Sequence, residues 1–189
     1  CVPYIILDSA SVTSAFPVVE HRWYLTSGST LITSTVNGGL NPTFNSSVNV
    51  AGNYCVRLWA RNSNNDTCSI TKCIDIANRP VSNFTFSNTE GCVPLCVTAQ
   101  CNASSAGSGS ITSVQIDWGC GLVSPFTTCP PTATRCYSCV PGLYSPTVVI
   151  TNSFGCITRD TTHYKEVRLI PPLVANFNAD TTYAICATA

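Results

Sequence analysis

The chain carries one pattern twice, and that repetition constrains its fold more than any single residue does. Gly52-Asn-Tyr54 returns as Gly142-Leu-Tyr144, and eight residues beyond each tyrosine stands an Asn-Ser pair, Asn62-Ser63 and Asn152-Ser153. Cys68-Ser-Ile-Thr and Cys156-Ile-Thr follow, and Val81-Ser-Asn-Phe84 is repeated as Val174-Ala-Asn-Phe177. Trp23 and Trp118 each close an apolar run and lead into a turn. Self-similarity at a fixed period marks a repeat architecture, in which each copy is one structural unit. This reading makes Trp23 and Trp118 equivalent core anchors at strand ends, with Tyr54 and Tyr144 as their companions, and it makes Cys68 and Cys156 counterparts in the penultimate loop.

The units are built of strands. No long stretch has the 3.6-residue apolar period of a helix, whereas short β-branched or alternating runs recur between Gly, Pro, Asn and Ser clusters. The runs are Val2–Leu7, Val18–Leu25, Val48–Ala60, Ser69–Ile76, Val81–Phe86, Ser113–Trp118, Tyr144–Thr151 and Tyr164–Ile170. Many short strands with frequent turn signals predict an all-β sandwich.

The order of these features resembles the PKD domain, the immunoglobulin-like repeat of polycystins and many microbial surface proteins. A first-strand Phe is followed by Trp and Gly, then by Pro141-Gly-Leu-Tyr144 and Asn152-Ser-Phe-Gly-Cys156. Trp118-Gly-Cys-Gly121 and Trp23-Tyr-Leu-Thr-Ser-Gly28 depart from the family's W-x-F-G-D-G segment by lacking its aspartate, so no role of that aspartate carries over. The resemblance spans nearly the whole chain and implies tandem immunoglobulin-like (PKD-type) β-sandwiches of an extracellular or cell-surface protein. The copies divide into residues 1–79, a sandwich lacking its first strand; 80–172, a complete one; and 173–189, the first strand of a following repeat.

The two ends fit each other. If residue 189 were followed by residue 1 of an identical unit, the junction would read Cys186-Ala-Thr-Ala-Cys1-Val-Pro, against Cys92-Val-Pro-Leu-Cys96-Val-Thr in the other copy. Cys1 to Cys96 spans 95 residues, as does Trp23 to Trp118, and Cys96 to the next Cys1 spans 94. The chain, which opens on Cys1 without a signal peptide as a mature or excised segment would, therefore reads as two repeats in circular register. A sandwich without its first strand exposes a sheet edge, and an exposed edge invites another strand. The expected partners are identical units, head to tail, either by strand addition or as one period of a longer covalent array; head-to-tail contacts that do not close make filaments.

Thirteen cysteines without clear metal spacing point to an oxidising compartment. Four sequons agree, at Asn45, Asn65, Asn83 and Asn102, so the covalent additions expected are N-glycans. Alternation along the strand after Gly52 turns Tyr54, Val56, Leu58 and Ala60 inward and Cys55 outward. Folding Cys55 onto Cys73 centres a hairpin in the polar run Asn62–Asp66, which predicts a Cys55–Cys73 disulfide; the second copy has Ser145 and, by the same count, Thr161 there. A bridge from Cys156 to the Cys1 region, across the junction between modules, is geometrically attractive, because the penultimate loop lies at the end of a sandwich that faces its predecessor. Partners for Cys68, Cys92, Cys96 and Cys186 stay open, and the odd total leaves at least one thiol free or bonded to another chain. Cys120, Cys129, Cys136 and Cys139 read as braces of a long loop better than as a zinc site, since one pair lacks the two-residue spacing and no histidine is near.

Site chemistry is sparse. His21 and His163 lie in no metal or nucleophile motif, and Asp8, Glu20, Asp117 and Glu166 fall at unrelated repeat positions, so no carboxylate pair is expected. The run Asn62–Asp66 has oxygens enough for calcium but reads equally as a polar turn bearing a glycan. Nine basic residues balance nine acidic ones, which gives no reason to expect nucleic acid, and no apolar run reaches the ~20 residues of a membrane helix. The function expected is structural and non-enzymatic: a module of an extracellular glycoprotein filament or surface stalk. The alternative is an adhesin or carbohydrate-binding accessory module, for which Trp59, predicted to face outward, is the one evident aromatic platform.

Overall fold

The computed structural model describes residues 1–37, 42–102, 104–161 and 166–175, and its regular elements are all β-strands. The N-terminal repeat contains β1 (Tyr4–Ser9), β2 (Val18–Ser27), β3 (Thr30–Asn37), β4 (Thr43–Val48), β5 (Gly52–Asn62) and β6 (Thr67–Ile76). The second repeat contains β7 (Phe84–Ser87), β8 (Glu90–Cys92), β9 (Leu95–Cys101), β10 (Ile111–Asp117), β11 (Val123–Phe126), β12 (Thr132–Tyr137), β13 (Gly142–Tyr144), β14 (Thr147–Asn152), β15 (Ile157–Asp160) and β16 (Val167–Ile170). The proposed tail strand and His163 fall largely outside the described residues: 173–175 are exposed and not in a strand, and 176–189, with Cys186, are not described.

Each repeat is an immunoglobulin-like sandwich of two sheets. In the second repeat the order β12-β9-β7 faces β11-β10-β14-β15, and β16 pairs antiparallel with β13 and parallel with β8. In the first, β3-β2-β5-β6 faces a sheet that, among the described residues, holds β1 and β4 alone. Two separate cores result, one around Trp23, Leu25, Phe44, Val56 and Leu58, the other around Trp118, Tyr137, Val97, Ile116 and Ile150. The strict alternation on β5 buries Tyr54, Val56, Leu58 and Ala60, the faces that period-2 geometry assigns them. Tyr144 is half-buried at the edge of its core. Both tyrosines lock the turn before them in the same way: Tyr54 Oη donates to the Val50 carbonyl at 2.7 Å and Tyr144 Oη to the Val140 carbonyl at 2.6 Å.

The shared Asn-Ser is a structural device. Asn62 Oδ1 accepts the N–H groups of Asn64 and Asp66, and Asn152 Oδ1 accepts those of Phe154 and Cys156, so one side chain holds each hairpin turn. Counting from these turns corrects the repeat alignment. Trp23 lies opposite Leu58, four residues before Asn62, but opposite Val148, four before Asn152, stands Ile116. Trp118 therefore matches Leu25, and the two tryptophans, both buried, sit one inward position apart. In the same way Ala60 pairs with Cys68 and Ile150 with Thr158, so Cys68 matches Thr158, while Cys156 matches Asp66. Pairing of Tyr144 with Val167 makes Glu166, not Thr161, the counterpart of Cys73. Cys1 matches Cys92 rather than Cys96: Val2 N–H donates to the Ala77 carbonyl, just past β6, and Val93 N–H to that of Ile170, the last residue of β16. Rare residues suggested the earlier register; backbone pairing overrides it.

The two repeats meet across the linker Ala77–Pro80. Arg79 donates to the Val2 carbonyl at 3.1 Å and to the Ile157 carbonyl at 3.0 Å, and Thr158 Oγ1 donates to the Pro80 carbonyl at 2.6 Å. Asn152 Nδ2 donates to the carbonyls of Asn78 and Ala106, so the residue that shapes the turn also grips the linker. Gly107, at φ +70°, lies where a Cβ would run into the Arg79 carbonyl. Asn152→Ala strands the N–H groups of Phe154 and Cys156 and is expected to cost about 2 kcal/mol or more in urea unfolding. A cost near zero would show that the turn and linker do not depend on this side chain.

Candidate functional site

The feature that distinguishes the first repeat is a groove. Among the described residues no strand pairs with the outer edge of β1 or of β6, whereas the corresponding edges in the second repeat carry β7 and β8. Between the two open edges a trough runs along inward side chains of β5, past Tyr4, Ile6, Val56 and Ile74, then Trp23, Leu58 and Ile70, to Ala10, Val12, Ala60 and Cys68. Its rims are apolar and exposed: Leu7 is 71% and Ile70 69% accessible. Trp23 lines the trough, and its buried Nε1 has no hydrogen-bond partner among the described residues; Trp118 Nε1 donates to Ser124 Oγ at 2.9 Å.

The second repeat displays the filled form. Phe84 lies opposite Cys101 and Phe86 opposite Ala99; Phe84 is 3% accessible, and Phe86 meets Trp118 edge to face with ring centroids 5.7 Å apart. By the register anchored at Val2 and Val93, the positions of Cys101 and Ala99 belong in the first repeat to Ala10 and Asp8, both on the trough.

Disulfides bind each sandwich and the junction. Cys55–Cys73 crosses directly paired residues of β5 and β6, Cα atoms 4.0 Å apart. Cys1–Cys156, with Cα atoms 5.7 Å apart, joins the two repeats. Cys96–Cys136 joins paired residues of β9 and β12, where the first repeat has Ile5 and Ser47. Cys101–Cys129 and Cys120–Cys139 brace the long loops, so Cys101 joins the set that sequence reasoning assembled. Cys68 and Cys92 are free and exposed.

Most of the other polar groups that the sequence singled out are paired within the fold or buried. In the Asn62–Asp66 turn, Asp66 Oδ2 accepts the amides of Asn62 and Asn64, which hold its carboxyl below the ordinary value, so these oxygens face N–H donors. The Arg22 and Arg61 guanidiniums likewise hold the Glu20 carboxyl low. Asp117 Oδ1 accepts the Gly119 N–H, and burial pushes the Tyr137 hydroxyl up to about 12. His21 is fully buried in β2. Trp59 is half-buried, with the Arg22 guanidinium 5.6 Å from its ring centre, so that face is covered by a cation. Among the described residues there is no group of three or more potential metal ligands, and no helix is long and apolar enough to cross a membrane.

No family model matches the chain, and no curated protein sequence does. Among solved structures, the fibronectin(III)-like modules of CbhA from Clostridium thermocellum align at 18% identity over 93% of this chain and 91% of that one, with a TM-score of 0.43. The amphioxus IgVJ-C2 molecule aligns at 9% identity over 87% of this chain and 96% of that one, with a TM-score of 0.34. The immunoglobulin-like description rests on the strand order itself.

The sequons differ in access. Asn45, Asn65 and Asn83 are exposed, while Asn102 is half-buried and its Nδ2, the atom a glycan would occupy, donates to Thr85 Oγ1 at 2.8 Å. Asn65 corresponds to Gly155, where an added Cβ meets nothing within 4 Å, so that position is open even in the turn that lies at the inter-repeat junction. Glycopeptide mass spectrometry of material from a glycosylating host is expected to find Asn102 the least occupied of the four. Full occupancy there would mean that the Asn102–Thr85 bond does not form.

Proposed function

We propose that this chain is a structural repeat module of an extracellular glycoprotein filament or surface stalk, in which the trough of each first repeat receives the segment beginning Val174-Ala-Asn-Phe177 of a neighbouring unit. The observation that carries the reading is the pairing of one open and one filled copy of the same groove in a single chain. Val174-Ala-Asn-Phe177 repeats Val81-Ser-Asn-Phe84, the segment that fills the second repeat. In the same register Phe177 falls opposite Ala10, among Leu58, Ile70 and Val12. Burying one such aromatic side chain contributes about 1.5–3 kcal/mol, and the backbone bonds along β1 and β6 add to it.

The neighbouring unit is either a separate chain or the adjoining period of one longer chain; the groove chemistry is the same in both. Five disulfides and four sequons favour an extracellular or cell-surface location. The PKD-like order of Phe84, Trp118, Tyr144 and Asn152 favours it too, and repeats of that kind suit a passive, load-bearing role. No catalysis, cofactor, nucleic acid or membrane insertion is part of this reading, and Trp59, with Arg22 over its ring, offers little to a sugar.

Electron microscopy of the purified chain at high concentration is expected to show fibres with an axial repeat of roughly 60–80 Å, two sandwiches end to end. A Phe177→Asp chain is expected to stay monomeric while unfolding at the wild-type midpoint. A synthetic peptide of residues 173–189, with Cys186→Ser, is expected to shorten wild-type fibres in proportion to its concentration. Fibres of Phe177→Asp as long as those of the wild type would overturn the proposal.

A further inference from the structure

We propose that Cys92 of one unit and Cys68 of the next form a disulfide across every unit boundary, the counterpart of the Cys1–Cys156 bridge inside the unit. The inference rests on the head-to-tail reading above and names the bond that would make such an array covalent at each joint.

Cys68 and Cys92 are the two unbonded cysteines among the described residues, and both are exposed. They cannot join each other within one unit. Cys68 begins the arm of β6 next to the Asn62–Asp66 turn, the end of the first repeat that faces away from the second. The eight residues from Cys68 to Ile76 alone span about 26 Å of strand, and the second repeat lies beyond. Cys92 adjoins Ile170 at the far end of that repeat. A disulfide needs Cα atoms within about 7 Å.

Each is placed for an outer joint. Cys92 is the counterpart of Cys1: both precede Val-Pro, and in each case that valine N–H bonds a carbonyl where the last strand ends, Ala77 just past β6 or Ile170 at the end of β16. Cys1 uses this position to reach the Asn-turn hairpin of the following repeat, at Cys156. In the first repeat the residue at the Cys156 position is Asp66, which has no sulfur, but two residues further on, at the Thr158 position, stands Cys68. Residues two apart on a strand share a face and lie about 6.6 Å apart, so the bridge moves by one step along the same arm. The Thr158 side chain already points at the incoming linker, donating to the Pro80 carbonyl at 2.6 Å, and a cysteine there inherits that direction. The linkers match as well: Ala77 to Val81 and Ile170 to Val174 each span four residues. Where the second repeat has Cys and Thr on this arm, the first has Asp and Cys, and the missing bridge position is replaced rather than lost.

The chemistry is thiol–disulfide exchange. The Cys92 thiolate attacks a small disulfide such as oxidised glutathione, releasing one glutathione thiol and leaving a mixed disulfide. The Cys68 thiolate of the adjoining unit then displaces the second glutathione. Two protein thiols are oxidised, two electrons reduce the glutathione disulfide, and the two protons end on the released thiols.

The test uses the full chain carrying Cys186→Ser, assembled in a glutathione redox buffer, quenched with an alkylating agent and run on non-reducing gels. A ladder in steps of 20.1 kDa that collapses on reduction is expected, with tryptic mass spectrometry linking the Cys68 peptide to the Cys92 peptide. Cys68→Ser and Cys92→Ser chains are each expected to give monomer alone and a single bridged heterodimer when mixed. Fibres by electron microscopy in which both thiols remain alkylatable, or in which Cys68 is linked to another Cys68, overturn the bridge and leave the assembly standing. Chains that stay monomeric by light scattering, with both thiols alkylated, overturn bridge and assembly together.

Discussion

Backbone N–H and C=O groups along the outer edges of β1 and β6 face away from their own sheets, and an apolar trough lies between them. Water can satisfy those groups, but it cannot satisfy the trough, because Leu7, Ile70 and the rim around Trp23 stay in contact with solvent. The second repeat shows how the same frame is closed: β7 pairs with β9, β8 runs parallel to β16, and Phe84 enters the core. Every functional statement about this chain descends from that difference between two otherwise matching sandwiches.

The closed joint within the unit explains why such modules would hold a line. Cys1–Cys156 closes a loop of 155 residues, which in the loop-entropy picture contributes about 5 kcal/mol. Around it, Arg79 bridges Val2 to Ile157, Asn152 holds Asn78, and Thr158 holds Pro80, so a four-residue linker is bonded to both of its neighbours. A linker gripped in this way behaves as part of the fold rather than as a hinge. The cross-strand bridges lie in opposite layers of the two sandwiches, Cys55–Cys73 in the larger sheet of the first and Cys96–Cys136 in the β7-containing sheet of the second. Each therefore stiffens the layer that its partner repeat leaves unbridged.

Much of this was legible in the residues. The all-β class followed from short β-branched runs between turn formers, and the inward alternation of Tyr54, Val56, Leu58 and Ala60 is a direct reading of strand period. That alternation turned Cys55 outward, and the polar Asn62–Asp66 turn put Cys73 opposite it, where the structure bonds the pair. The register between repeats was less accessible. Tryptophan and cysteine are rare and attract alignment, yet Trp23 and Trp118 sit one inward position apart, and Cys68 stands two residues beyond the Cys156 position, because core volume and bridge position shifted while the hydrogen-bond ladder did not. Strands β3, β4, β8, β9, β11, β12 and β15 were missed, being polar, short or threonine-rich. The single run expected over Tyr144–Thr151 is broken at Ser145-Pro146, since proline cannot donate to the ladder. Bridges such as Cys101–Cys129, from the end of β9 to a loop after β11, depend on how the sheets come together, which no spacing reveals.

Amide hydrogen exchange on the assembled protein tests the central claim most directly. The account predicts that, in fibres, the outward-facing amides of Tyr4–Ser9 and Thr67–Ile76 become as protected as those of β9 and β16, and that they exchange freely again in monomers. Edge amides that exchange at unpaired rates in intact fibres would contradict it, because no strand would then occupy the groove.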